Sequence, residues 1–163
     1  MANIRPFKAI RPNRNKVHLV ASRSYLTYSQ KTLEEKLENN PYTFLHIINP
    51  EYRIKNKKSG IEKFKLVRNK FIDFIEKGYL IKDKKPAFYL YQQQKDQNIF
   101  EGIIAATSIE DYNNGFIKKH EHTINDREEM FKNYLNVTGF NADPVLLSYK
   151  DNEKINKLIA DKK

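Results

Sequence analysis

One amphipathic pattern, between residues 59 and 78, constrains the fold of this chain more than any other feature. Apolar side chains recur there at helical spacing, at Ile61, Phe64, Val67, Phe71, Phe74 and Ile75, while lysine, arginine and asparagine occupy the other faces. Gly78 is placed to end the helix. The pattern therefore predicts a long helix whose aromatic stripe packs into a hydrophobic core, and we interpret the stripe as core rather than as a cofactor-binding motif.

The period changes to two after Pro86. Phe88 and Leu90 fall on one face of the predicted strand, and Tyr89 and Tyr91 fall on the other. Residues 95–98 form a polar turn, and residues 99–107 return as a partner strand. This stretch predicts a β-hairpin over residues 87–107.

Weaker signals complete the predicted fold. A short edge strand or extended segment is expected at residues 4–12, and short strands at residues 17–21, 44–48 and 145–149. Further helices are expected at residues 29–39 and 125–136, and a charged terminal helix or tail at residues 151–163. These elements predict an α+β fold with a mixed or antiparallel sheet and about four helices. With 163 residues, the chain is expected to form a single domain over residues 1–163.

Composition excludes several classes of protein. The chain contains no cysteine, which removes disulfides, cysteine nucleophiles and thiolate metal sites. No apolar run approaches the ~20 residues that span a bilayer, and the first residues lack a signal-peptide core, so we expect a cytoplasmic protein without a membrane partner. A formal net charge of +10 favours anionic partners such as nucleotides or nucleic acid.

The strongest candidate for a functional site lies at residues 115–128. A glycine, two lysines, two histidines, a carboxylate and a hydroxyl lead there into a predicted helix start. Helix N-termini carry unpaired N–H groups and a partial positive charge, so they favour anions. The alternative interpretation is a solvated turn followed by a capped helix.

Several segments in one order resemble the prokaryotic family called domain of unknown function 1015. The matching segments are residues 6–12, residues 40–46 with Pro50 and Glu51, residues 86–92, Asp111 with Tyr112, residues 115–123, and residues 144–151. One departure is Ser24 before Tyr25, where family members usually carry a proline. Family members are typically longer, so the resemblance implies a short member or the N-terminal portion of a longer architecture; it implies no established activity.

A fold-level similarity links the chain to the ParB and sulfiredoxin group, which includes free-serine kinases. In that group a strand leads into a polar loop and a helix start that bind nucleotide phosphates. The order here is similar: a strand at residues 99–107, a loop at residues 115–123 and a helix from about Asn125. The glycine–arginine signature of the group is not present as such, so the comparison is an analogy.

The first functional hypothesis is nucleotide-dependent phosphoryl transfer to a small hydroxyl metabolite such as serine, using ATP or ADP with Mg²⁺. That chemistry depends on positioning, on neutralising charge and on a carboxylate that accepts the hydroxyl proton. Glu121 is the predicted base and His120 the second catalytic residue. The predicted phosphate or nucleotide ligands are Lys118, Lys119, His122, Thr123 and Arg127, and Arg11 and Arg23 are predicted to approach a substrate carboxylate.

The second hypothesis is that the chain is a nucleic-acid-binding or regulatory ParB-like domain without catalysis. The net charge fits it, and basic residues alternate with tyrosines such as Tyr89 and Tyr91. The lysines are nevertheless spread along the chain, and no common nucleic-acid-binding signature occurs.

A metal site using His120, Glu121 and His122 is the third hypothesis. The two histidines would share one face of a strand while Glu121 pointed away, so a third ligand would have to come from elsewhere, such as His18 or His46. We therefore predict no metal site. His46 itself lies in an apolar run, where a histidine is more often a satisfied core residue than a ligand.

Overall fold

The computed structural model of the protein describes residues 2–120 and 124–162. The chain divides into two compact units: residues 1–9, 84–122 and 141–163 belong to the first unit, and residues 10–83 and 123–140 belong to the second. The single-domain expectation is not tested by this division and stays a prediction.

Helices and short antiparallel strands make up both units. The strands are β1 (Ile4–Arg5), β2 (Ile10–Pro12), β3 (Leu80–Lys82), β4 (Tyr89–Lys95), β5 (Asn98–Ile104) and β6 (Ala106–Thr107). The helices are α1 (Val17–Val20), α2 (Gln30–Asn39), α3 (Leu45–Ile48), α4 (Gly60–Glu76), α5 (Ile109–Asn113), α6 (Asn125–Thr138) and α7 (Glu153–Ala160). The strands pair as β1 with β6, β2 with β3 and β4 with β5, so the α+β prediction is confirmed and the pairing is antiparallel.

The helix count was underestimated. The described residues contain seven α-helices, where about four were expected, because three of them have only four or five residues. Residues 17–21 and 44–48 were predicted as strands, and they form α1 and α3 instead. A short buried apolar run has no periodicity that separates a strand from a helical turn, which explains both errors.

The long helix predicted from the apolar stripe is confirmed as α4. Val67, Phe71 and Phe74 are buried, and Gly78 follows the helix with a φ of 68°, a conformation that glycine adopts without steric cost. Ile61, in the first turn of the helix, is 53% exposed, so its predicted place in the core is wrong. Together with Val20, Ile47 and Leu80, the three buried residues of α4 form the hydrophobic core of the second unit.

Aromatic rings join α6 to α4 within the second unit. The ring of Phe64 meets that of Tyr134 edge-on at 5.3 Å between centroids, and Phe71 stacks on Phe140 at 3.9 Å. Gly139, with a φ of 74°, ends α6 and lets the chain turn Phe140 back onto the core. The predicted helix at residues 125–136 is therefore confirmed, and so is the helix at residues 29–39, which begins at the cap residue Ser29.

The first unit is built on the predicted hairpin, which is confirmed. Strands β4 and β5 pair over their whole length, and Asp96 takes a φ of 55° in the two-residue turn. Aspartate tolerates this left-handed conformation because its short side chain can bond the local backbone. Residues 4–12, predicted as one segment, contain two strands, β1 and β2. In the first unit β1 pairs with β6, and Phe7 adds an isolated bridge to Ala87.

The predicted strand at residues 145–149 is wrong, because this stretch forms neither helix nor strand. Val145 is 82% exposed and Leu146 is 95% exposed. An apolar run indicates only that burial against a partner would stabilise it. None of the described strands pairs with residues 145–149. The terminal helix is confirmed as α7, which buries Ile159. Over the part of the chain that is described, no helix combines the length and the apolar character that crossing a membrane requires.

Candidate anion-binding segment

The N-terminus of the chain anchors the candidate segment inside the first unit. After β6, Ser108 caps α5 by accepting a hydrogen bond from the backbone N–H of Asp111. The Asp111 carboxylate in turn accepts from the backbone N–H of Asn3, and the N–H of Ser108 donates to the carbonyl of Asn3 at 3.1 Å. These bonds join α5 to the residue just before β1, so the start of the loop is fixed from two sides.

Asp111 also closes the turn that precedes the lysines. Its carbonyl accepts from the N–H of Ile117 at 3.1 Å, and the N–H of Gly115 donates to the carbonyl of Tyr112 at 3.3 Å. Gly115 has a φ of 73°, which disfavours any residue with a side chain. The glycine is therefore required by the backbone of this turn, independently of any ligand.

Beyond this turn the side chains face solvent. Lys118, Lys119 and His120 are all exposed. The ammonium group of Lys119 lies 4.6 Å from the centroid of the Tyr112 ring, a cation–π distance. A ligand that binds Lys119 would meet Tyr112 at the same place.

Three of the predicted site residues lie outside the described residues. They are Glu121, His122 and Thr123, so the predicted roles of Glu121 as base and of His122 and Thr123 as phosphate ligands stay predictions. Arg127 is described, and it is exposed in the first turn of α6 within the second unit. Asp126 and Glu128 share that first turn, and their negative charges suit the helix dipole but oppose an incoming anion.

The helix start itself offers donors of the expected kind. Ile124 is the N-cap residue of α6, and among the described residues no side chain caps it. The N–H groups of Arg127 and Glu128 donate to the carbonyl of Ile124 at 3.0 Å each. The first backbone N–H groups of α6 remain the part of the helix that favours negative charge.

The two arginines predicted to bind substrate both lie in the second unit. Arg11 is on β2, and its Nε donates to a carboxylate oxygen of Asp83 at 2.9 Å. Arg23 is exposed, and its backbone N–H donates to the Tyr28 hydroxyl at 3.1 Å. The charge of Arg11 is thus already partnered, and the substrate role of both residues stays a prediction.

The histidines considered as metal ligands differ in environment. His18 is exposed on α1, whereas His46 is buried on α3 with its Nε2 3.1 Å from the carbonyl oxygen of Asn40. The interpretation of His46 as a satisfied core residue is confirmed. Across residues 2–120 and 124–162, no three histidine, cysteine, aspartate or glutamate side chains cluster as a metal site would need.

The two tyrosines of the nucleic-acid hypothesis are not equivalent. Tyr89 is half-buried, its ring packs against Phe7 at 5.1 Å between centroids, and its hydroxyl accepts from the N–H of Ala9 at 2.9 Å. Tyr91 is 48% exposed, and its hydroxyl bonds only a side chain, that of Gln93, among the contacts described. Only Tyr91 presents a ring to which a base has access.

The sequence analysis missed a groove in the second unit, beside the C-terminal end of α4. It is lined by Pro41, His46, Lys70, Asp73, Phe74, Lys77 and Tyr79. A signal was present, because Lys70, Asp73 and Lys77 are spaced three and four residues apart and so share one helix face. The sequence does not show that this face of α4 lies beside Pro41 and His46, which are distant in the chain.

Comparison with known proteins identifies the family and no more. No curated protein and no solved structure matches the chain, so the similarity to the ParB and sulfiredoxin group is not confirmed. One family model matches residues 4–163, which is nearly the whole chain, and its description is "Protein of unknown function (DUF1015)". The chain therefore belongs to the DUF1015 family of proteins of unknown function.

Proposed function

We propose that residues 118–127 bind the phosphate groups of ATP or ADP with Mg²⁺, and that the protein transfers a phosphoryl group to a small hydroxyl metabolite such as serine. Lys118 and Lys119 neutralise the phosphate charge, with His122, Thr123 and Arg127 as further ligands. Glu121 accepts the proton of the attacking hydroxyl, oriented by His120, while the oxygen–phosphorus bond to the nucleotide breaks and the shortened nucleotide leaves with the electron pair.

The observation that carries this proposal is the exposed basic run directly after a fixed turn. Hydrogen bonds from Asn3, Gly115 and Ile117 hold the turn, and Lys118 begins the exposed run one residue later. In the second unit, α6 begins after Ile124 without a described side-chain cap. Positioned cations next to helix N–H donors are what a phosphate group needs.

Residues 118–127 fit a magnesium ion that has few protein ligands, which is the usual arrangement for Mg²⁺ bound to a nucleotide. Mg²⁺ is typically held by one or two carboxylates together with substrate phosphates and waters, so it does not need a cluster of protein ligands. Since Glu121 is assigned as the base, Asp126 is the carboxylate of this stretch that could serve. When bound, the ion would supply charge neutralisation at the phosphates, and the lysines and the helix start would position them.

A thermal-shift titration with ATP and ADP, with and without Mg²⁺, tests the binding step. A ligand at ~100 times its dissociation constant adds about 2.7 kcal/mol of stability, which is readily visible. The double variant Lys118→Ala/Lys119→Ala should lose the shift. The matched control is Lys84→Ala/Lys85→Ala, because these residues are also an adjacent, exposed lysine pair of the first unit.

The catalytic step is tested separately. Glu121→Gln should still shift with nucleotide but lose transfer to a panel of hydroxyl acceptors by about 10²–10⁴-fold. Equal nucleotide shifts in the two double-lysine variants would contradict the binding site. Unchanged transfer in Glu121→Gln would contradict the assigned base.

One face of the hairpin supports a second candidate function, single-stranded nucleic-acid binding without catalysis. In the β4–β5 register, Tyr91 lies opposite Gly102 and Gln93 lies opposite Phe100, so the rings of Tyr91 and Phe100 lie on the same face. Both are about half exposed, and Lys95 is on that face as well. Tyr91→Ala should then weaken oligonucleotide binding, measured by fluorescence anisotropy, and nucleotide thermal shifts should be absent.

A further inference from the structure

The groove of the second unit is formed by three pieces of chain around the C-terminal end of α4. Its volume is about 170 Å³, below the ~300–1,000 Å³ of pockets that hold drug-sized ligands. The half-buried Tyr79 supplies an apolar ring, Pro41 and the almost fully buried Phe74 also line the groove, and the remaining lining is charged or titratable. A ligand of this groove must therefore be small, with a polar group and little apolar surface.

Two ammonium groups share one carboxylate in the groove. Lys77 Nζ is 2.7 Å from one oxygen of Asp73 and 3.0 Å from the other, and Lys70 Nζ lies 3.6 Å from Asp73. One negative charge therefore faces two positive charges, and the set keeps an excess positive charge. Each ammonium carries three N–H donors, so Asp73 cannot satisfy all six.

Positive potential extends across the groove to its buried side. The pKa of His46 is lowered, first by burial and further by the positive charges of Lys70 and Arg53, although the hydrogen bond to Asn40 opposes the shift. A third lysine, Lys16, lies over the rings of Tyr42 and Tyr79 at 4.2 and 5.5 Å from their centroids. A concave surface with one dominant sign of charge concentrates ions of the opposite sign.

We propose that this groove binds a small oxyanion, the phosphate or carboxylate group of a small molecule, between the ammonium groups of Lys70 and Lys77. The ligand oxygen takes the N–H donors that Asp73 leaves open, and the half-buried ring of Tyr79 contacts the rest of the ligand. The site is independent of the phosphate-binding stretch proposed above, because it uses none of its residues.

Titrations followed by amide resonances in ¹H–¹⁵N spectra of the full chain test this proposal. Sodium phosphate and sodium acetate are titrated separately at pH 7.5, with sodium chloride holding the ionic strength constant, so general screening cannot account for a shift. Amides near the groove, those of His46 and residues 70–79, should move saturably with at least one of the two anions. The anion with the lower dissociation constant identifies the ligand group as phosphate or carboxylate. Residue-resolved shifts also separate this site from residues 118–127.

Two variants should change the affinity for the anion in opposite directions, and a third serves as a control. A general loss of stability or of positive charge would not produce this pattern. Lys77→Gln should weaken binding about fivefold to tenfold, because it removes one of two facing charges. Asp73→Asn should tighten binding by a similar factor, since the competing carboxylate is gone. The control is Lys65→Gln on the same helix, because Lys65 also pairs with a carboxylate, that of Glu62, but lies outside the groove lining.

The outcomes separate clearly. Saturable shifts at the groove that weaken in Lys77→Gln, tighten in Asp73→Asn and stay unchanged in Lys65→Gln support the site. Linear shifts at every exposed lysine with both anions would overturn it. So would tighter binding in Lys77→Gln or weaker binding in a folded Asp73→Asn variant, because either result would mean that the groove does not attract anions.

Discussion

Replacing Tyr89 by phenylalanine should loosen the N-terminal segment of the protein without disturbing its packing. The Tyr89 hydroxyl accepts from the N–H of Ala9 at 2.9 Å and donates to the carbonyl of Phe7 at 3.3 Å. A phenylalanine ring keeps the contact with the Phe7 ring at 5.1 Å but loses both bonds. The half-buried N–H of Ala9 is then left without this partner.

The two bond lengths determine the expected size of the effect. An ordinary internal hydrogen bond contributes about 0.5–1.5 kcal/mol net, and the 2.9 Å bond to Ala9 has ordinary geometry. The bond to Phe7, at 3.3 Å, is longer than usual for a hydroxyl donor and should contribute less. We expect a loss of about 1–2 kcal/mol in total, which corresponds to a fall of about 2–8 °C in Tm for a chain of this length.

Amide hydrogen exchange at Ala9 is the decisive assay, because it reports the affected bond directly. Exchange should accelerate by about 5–30-fold, the factor that 1–2 kcal/mol implies. The matched control is Tyr91→Phe on the same face of β4, whose hydroxyl bonds the exposed side chain of Gln93, and its stability should stay within about 0.5 kcal/mol of wild type. Unchanged exchange at Ala9, or equal Tm changes in the two variants, would refute the reasoning.

Three further perturbations have expected outcomes that follow from the structure of the second unit. Phe74→Ala should cost about 3–5 kcal/mol of unfolding free energy in urea, because Phe74 is 1% exposed, whereas Ile72→Ala at a 39% exposed position of α4 should cost clearly less; similar losses would contradict the assigned core. Because burial lowers the pKa of His46 in the folded state, its contribution to stability is complete above the unfolded value of about 6.5 and is lost as pH falls from there towards the lowered folded value. His46→Asn should flatten that part of the stability–pH curve measured by denaturation, and an unchanged slope would exclude the histidine as its source. Arg11→Ala should cost no more than about 1 kcal/mol, since its pair with Asp83 is partly exposed, and a larger loss in the same denaturation assay would show that the pair is not a surface ion pair.

Elements with many repeats of their own periodicity could be predicted from the sequence, and short elements could not. The apolar stripe of α4 repeats over four turns, and the hairpin alternates through both strands. Each pattern therefore contains several repeats that all support the same period. Helices α1 and α3 have four residues each, too few for a sequence pattern to distinguish the two periods. Their helical form depends on packing into the core around Val20 and Ile47.

The candidate site was predictable in its chemistry but not in its support. The basic run at residues 118–120 is visible in the sequence because its residue types are adjacent. The hydrogen bond that anchors this run, from the N–H of Asn3 to the Asp111 carboxylate, is not visible in the sequence because the two residues are 108 positions apart. The same reason explains why the alternation of β4 grouped Tyr89 with Tyr91: only the segment at Phe7 and Ala9, about 80 positions earlier, makes one tyrosine structural and leaves the other exposed.

The pairing of β1 with β6 has a consequence for how the chain emerges from the ribosome. Arg5 pairs with Ala106, so roughly 100 residues are synthesised between the first strand and its partner. At a synthesis rate of ~5–20 residues per second, this takes about 5–20 s. During that interval residues 10–83, a continuous piece of the second unit, are already complete and can begin to collapse. The first unit should therefore be the later one to close, and a translation pause before residue 106 would leave the N-terminal strand exposed to chaperones.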